Sequence, residues 1–269
     1  MTEASLKICI LGNSHVASFK TGWQAIREFY PNIEITFYPF NGPSHARQFF
    51  TSFTPEHDSL TISNPNLKAR FIQLSRSDGY VRPNEFDQML VVGGFHWWHG
   101  IDRTAYSTQV IQAALRTHVS KANIWPFLKN LRKISDIPVA LTHVPFVASR
   151  EVSIARAQAG YQDEVKLVNA SVLASMKAQM ISQPEVTFGP YLQTHLKYAI
   201  GEYYLQKGSA DEPKQVLVDD RWHMNSAFGA KFLVKYLRSL SVKANNLDLP
   251  VPMGHVPINA QGKNVFQVY

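Results

Sequence analysis

The chain has 269 residues, of which 45% are hydrophobic and 17% are charged. This composition excludes extended disorder and provides enough apolar residues for the core of one large domain. The formal net charge is +7, but Lys and Arg are scattered and form no long basic tract. The charge therefore indicates no nucleic-acid partner, and solvated helix faces or an anionic substrate or carrier are the remaining explanations.

Cysteine content and segment hydrophobicity predict the compartment. The single cysteine, Cys9, lies in an apolar run, which excludes an intrachain disulfide and indicates a buried structural thiol. Residues 1–5 lack the basic and then apolar pattern of a secretory signal. Since no run approaches the ~18 to 20 apolar residues of a membrane span, we expect a soluble, cytoplasmic protein. The sequence does not indicate an oligomeric state.

Short apolar runs alternate with longer segments of helical periodicity along most of the chain. The predicted strands are 6–11, 33–38, 69–74, 88–92, 137–143 and 186–188. The predicted helices are 18–29, 106–132, 154–181, 195–205 and 225–240. This alternation predicts an α/β fold, a three-layer α/β/α sandwich around a parallel, flavodoxin-like sheet of about five strands.

The sequence also suggests a domain organisation. We expect one catalytic domain over 1–242, with a surface excursion at 49–66 where Ser, Thr, Pro and Asn are frequent. Residues 243–269 contain three prolines and are expected to form an arm that packs on the domain or trails from it. In parallel sheets, ligands bind beyond the carboxyl ends of the strands. The candidate functional segments are therefore 12–15, 41–45, 93–99 and 143–145.

Two short blocks near opposite ends of the chain carry groups suited to nucleophilic catalysis. The first predicted strand runs into a tight turn that carries Ser14, and Asp220 precedes His223 by three residues in the second block. A serine hydroxyl needs a base to accept its proton and a third group to orient that base. Taken singly, Ser14 reads as a helix N-cap and Asp220 with His223 as a capping loop. Their joint occurrence favours catalysis.

These blocks resemble those of the SGNH hydrolases, the GDSL esterase/lipase superfamily. Gly12-Asn13-Ser14-His15 is similar to the family's Gly-Asp-Ser block, with Asn in place of Asp, and Asp220-Arg221-Trp222-His223 is similar to its Asp-x-x-His block. Gly229, downstream of the second block, strengthens the likeness. The resemblance implies Ser14 as nucleophile, His223 as base and Asp220 as orienter, without a cofactor or metal.

The oxyanion donors are less completely matched. The resemblance implies the Gly42 amide as a donor beside the Ser14 amide, but where the family has Gly-x-Asn this chain has Gly94-Phe95-His96. The His96 ring, the Gly94 amide or Asn41 are the candidate replacements. His96 and His99 are also spaced as a metal pair, but only Asp102 lies near them as a further ligand.

The expected activity is hydrolysis of an acyl ester, such as an O-acetyl group, by a Ser-His-Asp mechanism. The substrate would be a small molecule or a glycan, since the tryptophans after residue 96 could stack on a sugar or acyl group. Two alternatives stay open: an O-acyltransferase that uses the same triad, and a binding protein of this fold with weak or no turnover. The sequence does not separate hydrolysis from transfer, because acceptor binding and water exclusion decide it.

Overall fold

The computed structural model describes residues 5–40, 46–97, 106–149, 156–189, 192–199, 203–204, 214–215 and 221–244. The described residues belong to two compact units. The first unit draws on Met1–Val16, Asn32–Val144 and Arg156–Ser182, and the second on Ala17–Pro31, Pro145–Ala155 and Gln183–Tyr269. The predicted arm at 243–269 lies outside the described residues except for its first two positions.

The strands, in chain order, are β1 (Leu6–Gly12), β2 (Ile33–Pro39), β3 (Phe53–Glu56), β4 (Ser59–Ile62), β5 (Tyr80–Val81), β6 (Gln88–Val92), β7 (Val139–Leu141), β8 (Ala148–Ser149), β9 (Ala178–Met180), β10 (Thr194–His195), β11 (Tyr203–Tyr204) and β12 (Lys214–Gln215). The α-helices are α1 (Val16–Ile26), α2 (Ala46–Phe49), α3 (Pro65–Ser75), α4 (Thr108–Lys121), α5 (Ile124–Leu131), α6 (Arg156–Val168) and α7 (Ser226–Ser239). Short 3₁₀ helices cover Arg27–Phe29, Phe50–Ser52, Pro83–Glu85, Ala174–Met176, Glu185–Thr187 and Leu196–Tyr198, and a π-helical turn covers Asn169–Leu173.

The first unit is built on a five-stranded parallel sheet with the order β2-β1-β6-β7-β9. Counted among the sheet strands alone, this order is 2-1-3-4-5, the flavodoxin-like arrangement. Its registers pair Leu6 with Ile33 across β1 and β2, and Ile8 with Gln88 across β1 and β6. The predicted α/β class and parallel five-stranded sheet are confirmed. The order reverses between β1 and β6, and this is the position where such sheets bind ligands.

Burial explains why the central strands formed where predicted. Ile8, Cys9, Ile10 and Leu11 of β1 are fully buried, as are the last four residues of β6, 89–92. A strand that is apolar on both sides needs cover on both faces, which helices provide in a parallel sheet. Helix α3 packs against β2, and α4 contacts both α5 and α6.

The predicted strand at 69–74 is wrong, because these residues lie within helix α3. The Asn64 side chain caps this helix by accepting hydrogen bonds from the amides of Asn66 and Leu67, and Pro65 occupies the first helical position. These are strong start signals for a helix. The helix ends at Ser75, and the C-cap residue Arg76 has a left-handed φ of 55°. Local capping therefore outweighed the short apolar run at 69–74.

Three predictions nearer the C-terminus are also wrong. The predicted helix at 154–181 ends at Val168, and after the π-helical and 3₁₀ turns the chain forms β9, the fifth sheet strand. The predicted strand at 186–188 is mostly a 3₁₀ turn, and 195–205 contains a 3₁₀ turn and short strands among its described residues. Lys177, with a φ of 46°, marks the reversal before β9.

The segment at 49–66 is a structured element rather than a surface excursion. It contains β3 and β4, which form an antiparallel sheet with β5. Phe49, Phe50 and Phe53 are buried, and Phe53 packs edge-on against Phe71 and Phe127 with ring centroids 5.8 and 5.4 Å apart. The sequence-based prediction was wrong because it weighed the frequent polar residues of this segment above the few apolar residues that anchor the small sheet.

The second unit contains a close crossing of α1, from residue 17 onward, with α7. A Cβ atom on Gly22 would lie 2.3 Å from the backbone nitrogen of Ala230, and one on Gly229 would lie 1.9 Å from the carbonyl oxygen of Ser18. Both glycines are therefore required for the approach of the two backbones. Phe19 and Phe232 extend the contact, with ring centroids 5.2 Å apart.

Within the described part of the chain, none of the helices has the length and apolar character needed to cross a membrane.

Candidate active site

Ser14 lies in the turn that follows β1, at the carboxyl edge of the sheet. Strand β1 ends at Gly12, the Val16 amide donates to the Asn13 carbonyl at 3.0 Å, and α1 begins at Val16. A Cβ atom on Gly12 would lie 2.3 Å from the Val92 carbonyl oxygen, so only glycine fits between β1 and β6 here. Ser14 itself is half-buried. It therefore occupies the reversal point of the strand order, within reach of solvent.

The Asn13 side chain joins this turn to the end of β6. Its Nδ2 donates to the Gly93 carbonyl at 3.2 Å, and its Oδ1 accepts from the His15 amide at 3.2 Å. Asn13 is 9% exposed. Because a carbonyl only accepts and a backbone amide only donates, the two bonds fix the orientation of the Asn13 amide group. The Asn13 side chain thus links His15, the residue after Ser14, to Gly93 at the end of β6.

The Gly93-Gly94 turn is shaped by its neighbours. Gly93 has a φ of +72°, and a Cβ atom there would lie 2.5 Å from Asn13 Oδ1. Its amide donates to both the carbonyl and the Oγ1 of Thr142, each at 3.2 Å. A Cβ atom on Gly94 would lie 2.9 Å from the Ile124 side chain. Neither position accommodates a larger residue, so the backbone of this turn stays close to the Ser14 turn.

His96 follows this turn and exposes its side chain to solvent. Its carbonyl oxygen accepts from the Nε2 of His118 at 3.0 Å, which ties the segment after β6 to α4. The ring of His96 is therefore presented on a backbone that is held by a specific bond. An exposed imidazole can donate one N–H to a ligand.

A cluster of aromatic side chains lies beside the ends of β6 and β7. His143 donates from Nδ1 to the Val144 carbonyl at 2.6 Å, and its Nε2 lies 2.7 Å from the hydroxyl of Tyr161. The Trp97 ring packs against His143 and Tyr161 at centroid distances of 5.5 and 5.1 Å. His143 is 4% exposed, so it acts here as a hydrogen-bonded core residue. Trp97 likewise packs in the core, with 8% exposure.

The His223 loop lies in the second unit and is fastened at both ends. The Arg221 carbonyl accepts from the Ala148 amide at 2.9 Å, and Met224 is 1% exposed. The backbone amide of Asn225 donates to the Tyr198 carbonyl at 2.6 Å. The Asn225 side chain caps α7, because its Oδ1 accepts from the Phe228 amide at 3.2 Å. His223 is half-buried between these anchors. The backbone is therefore held on both sides of His223, ahead of α7.

Cys9 is excluded as a nucleophile. The residue is fully buried in β1, and this burial raises the pKa of its thiol far above the usual range. A thiolate is the reactive form of cysteine, so the side chain stays protonated and inert. The sequence-based expectation of a buried residue at Cys9 is confirmed.

The predicted site residues are distributed as follows. Ser14, Gly94 and His96 belong to the first unit, and His223 belongs to the second. Asn41, Gly42, His99, Asp102 and Asp220 lie outside the described residues. Across the part of the chain that the structure describes, no three His, Cys, Asp or Glu side chains are grouped so that they could hold a metal ion.

Two contributors to the local geometry were missed by sequence reasoning. Asn13 was treated only as the residue that replaces the family's Asp, although its position directly after a buried strand is a signal for a turn-forming side chain. Tyr161 had no such signal, because it lies in the middle of α6 and meets His143 only in the folded chain.

No protein-family model matches this chain, and no curated protein matches it either. The fold defines an α/β protein with a five-stranded parallel sheet.

Proposed function

We propose that this protein is an SGNH-type serine ester hydrolase in which Ser14 attacks the acyl carbonyl, His223 accepts the Ser14 proton and Asp220 orients His223. The half-buried position of Ser14 at the reversal of strand order supports the proposal. Ligands bind at this point in open parallel sheets, and a glycine-supported turn there exposes a side chain to them.

The observation that carries the proposal is the contact between α1 and α7. Helix α1 begins two residues after Ser14, and α7 begins three residues after His223. The starts of these helices touch, because the Gly229 position abuts the Ser18 carbonyl oxygen. A cooperating serine and histidine need hydrogen-bond reach. The proposal requires the hydroxyl of Ser14 and the ring of His223 to come within this reach.

In the proposed reaction, the Ser14 hydroxyl adds to the ester carbonyl while its proton passes to His223. The resulting oxyanion is held by backbone amides, of which Ser14 and Gly42 are the first candidates and Gly94 is the next, with the His96 ring or Asn41 as the additional donor. The protonated His223 then gives its proton to the leaving alcohol. Water releases the acyl group from Ser14 by the reverse sequence of proton transfers.

The test uses the full chain with a fluorophosphonate probe and with p-nitrophenyl acetate. Ser14→Ala should abolish labelling, and His223→Asn should lower kcat by at least about 10³-fold, because the residues of a triad act as a unit. Ser120→Ala and His57→Asn, at exposed positions in the first unit, are the matched controls and should retain full activity.

Labelling that survives in Ser14→Ala would reject Ser14 as the nucleophile. A folded wild-type protein that is not labelled would favour the binding-protein alternative. Addition of a glycan acceptor to the acetyl ester distinguishes the remaining alternative, because acetylated glycan as the main product would assign acyl transfer rather than hydrolysis.

A further inference from the structure

Three cations lie on two neighbouring elements of the second unit. Lys231 and Arg238 are on α7, and Lys197 lies in the 3₁₀ turn Leu196–Tyr198, which packs against α7. The Asn225 side chain fixes this turn to the start of α7 through Nδ2, which donates to the Lys197 carbonyl at 2.7 Å. We call the surface formed by Lys197, Lys231 and Arg238 the basic surface.

Lys231 is the central member of the basic surface. Burial lowers the pKa of its ammonium group, and the positive charges of Lys197 and Arg238 lower this pKa further. The two neighbours are therefore close enough to repel Lys231. Within the residues that the structure describes, no carboxylate forms an ion pair with any of the three cations. A half-buried cation between two like charges is unfavourable unless an anion joins it.

The surrounding groups define the limits of the basic surface. Lys235, one turn from Lys231 on α7, is attracted by Glu185 and donates to the Gln183 carbonyl at 3.4 Å, so its charge is partly balanced. His195 lies two residues before Lys197, and its Nδ1 accepts from the Lys197 amide at 3.2 Å. Partial loss of solvent around the His195 ring and the positive charge of Lys197 both lower the pKa of this ring. The Lys197 ammonium lies 5.2 Å from the centre of the Tyr198 ring. The unbalanced charge is therefore confined to Lys197, Lys231 and Arg238.

We propose that the basic surface binds a small multivalent oxyanion, one that carries at least two phosphate or carboxylate groups. Lys231 and Arg238 are seven residues apart on α7, which places them on the same face about 10 Å apart along the axis. A single negative group cannot contact both cations over this distance. A ligand with several negative groups can place one group at each cation. The arginine fork and the lysine ammonium groups are suited to oxyanions of this kind. This binding does not depend on the triad.

The test measures binding of inorganic tripolyphosphate to the full chain by titration calorimetry at low ionic strength, with sodium chloride of matched ionic strength as reference. We expect saturable binding to the wild type and binding that is about tenfold weaker or more in Lys231→Gln, because a central charge contact is lost. Lys166→Gln is the matched control: this lysine is exposed and paired with Asp163 in the first unit, and its removal should leave affinity within about twofold. Orthophosphate should bind more weakly than tripolyphosphate.

Thermal unfolding without ligand separates binding from packing. Lys231→Gln should not lower Tm, since the substitution removes repulsion. The double variant Lys197→Gln/Arg238→Gln tests the same surface while leaving Lys231 in place. Loss of the tripolyphosphate signal in the double variant supports the proposal even if Lys231→Gln fails to fold. Equal binding by the wild type, the double variant and Lys166→Gln would overturn it, as would wild-type heats no larger than those with sodium chloride.

Discussion

The Nδ2 atom of Asn13 donates a hydrogen bond to the carbonyl oxygen of Gly93, 80 residues further along the chain and 3.2 Å away. This bond connects the ends of β1 and β6, the two strands between which the sheet order reverses. Ser14, the proposed nucleophile, is the next residue after Asn13. The position of the Ser14 turn therefore depends on the side-chain amide of Asn13. The Gly-Asp-Ser block that this segment resembles has Asp at the same position.

Asn13→Asp should destabilise the protein. A carboxylate retains the oxygen that accepts from the His15 amide but places a second oxygen against the Gly93 carbonyl, so a donor is lost and two acceptors face each other. We expect a loss of about 1–3 kcal/mol in the free energy of unfolding, measured by urea denaturation. Asn66→Asp, an exposed change in the first turn of α3, should cost less than about 0.5 kcal/mol because negative charge is tolerated there. Equal stability of Asn13→Asp and wild type would contradict the role assigned to this bond.

Gly229→Ala should disrupt the crossing of α1 and α7. The added methyl group would lie 1.9 Å from the Ser18 carbonyl oxygen, so the helices must separate, at a cost of about 1–3 kcal/mol or more. The matched control is Gly160→Ala in α6, where a Cβ atom has no neighbour within 4 Å. That substitution should stabilise the protein by about 0.5–1 kcal/mol through helix propensity. Chemical denaturation of both variants measures the contrast, and similar effects of the two would reject the close crossing.

The α1–α7 crossing also connects to the proposed activity. If the contact between these helices positions the Ser14 and His223 blocks, Gly229→Ala should lower kcat for p-nitrophenyl acetate even at temperatures where the variant remains folded. Gly160→Ala should leave kcat unchanged. An unaltered kcat in folded Gly229→Ala would separate the crossing from catalysis.

His96 can be tested as the replacement for the asparagine donor of the resembled family. If its ring donates to the oxyanion, His96→Ala should lower kcat by about 10²- to 10³-fold. His96→Asn restores an N–H donor and should recover most of that loss. Because the His96 side chain is exposed, neither change should alter the free energy of unfolding by more than about 0.5 kcal/mol. Equal kcat values for wild type, His96→Ala and His96→Asn would assign the donor elsewhere.

Ionisation of Tyr38 should lower the free energy of unfolding at alkaline pH. Burial is the main cause that raises the pKa of Tyr38 from 10.0 to about 12, with smaller contributions from Cys9 and from the carboxylates of Glu85 and Asp78, against a lowering by Arg82. The unfolded chain therefore releases the phenolic proton first as the pH rises. The free energy of unfolding should be independent of Tyr38 below about pH 9 and lower by about 2 kcal/mol at pH 12.

The measurement compares denaturation of wild type and Tyr38→Phe across this pH range, together with the phenolate absorbance of the folded proteins. Tyr38→Phe should show a shallower decline above pH 10, since it lacks the group that ionises. Parallel pH profiles for the two proteins would show that the pKa of Tyr38 is not raised on folding.

Much of the sheet was predictable because its central strands have only one stable environment. The runs that became β1 and β6 contain apolar residues on both sides, and such strands are stable only under cover on both faces. Their bounds, Leu6–Gly12 and Gln88–Val92, match the predicted runs closely. The Ser14 turn was predictable for the same reason, since Gly12 and a polar segment end the first run.

Other elements depended on partners that are distant in sequence. Strand β9, Ala178–Met180, has three residues and a polar centre, and it is a strand because β7 pairs with it. The aromatic residues around Phe53 lie in a polar stretch whose character becomes clear only when Phe71 and Phe127 pack against them. The bond between His143 and Tyr161 likewise joins residues on separate elements.

The sequence by itself determined the α/β class, the buried central strands and the two blocks whose residue types suit nucleophilic catalysis, because periodicity and side-chain chemistry are local properties. Only the tertiary structure decided that Asn13 links the Ser14 turn to Gly93, that Gly229 meets Ser18 and that the turn carrying Lys197 packs against α7, which carries Lys231 and Arg238. Each of these is a contact between segments far apart in the chain. Such contacts depend on how helices and strands pack, and no local pattern encodes that packing.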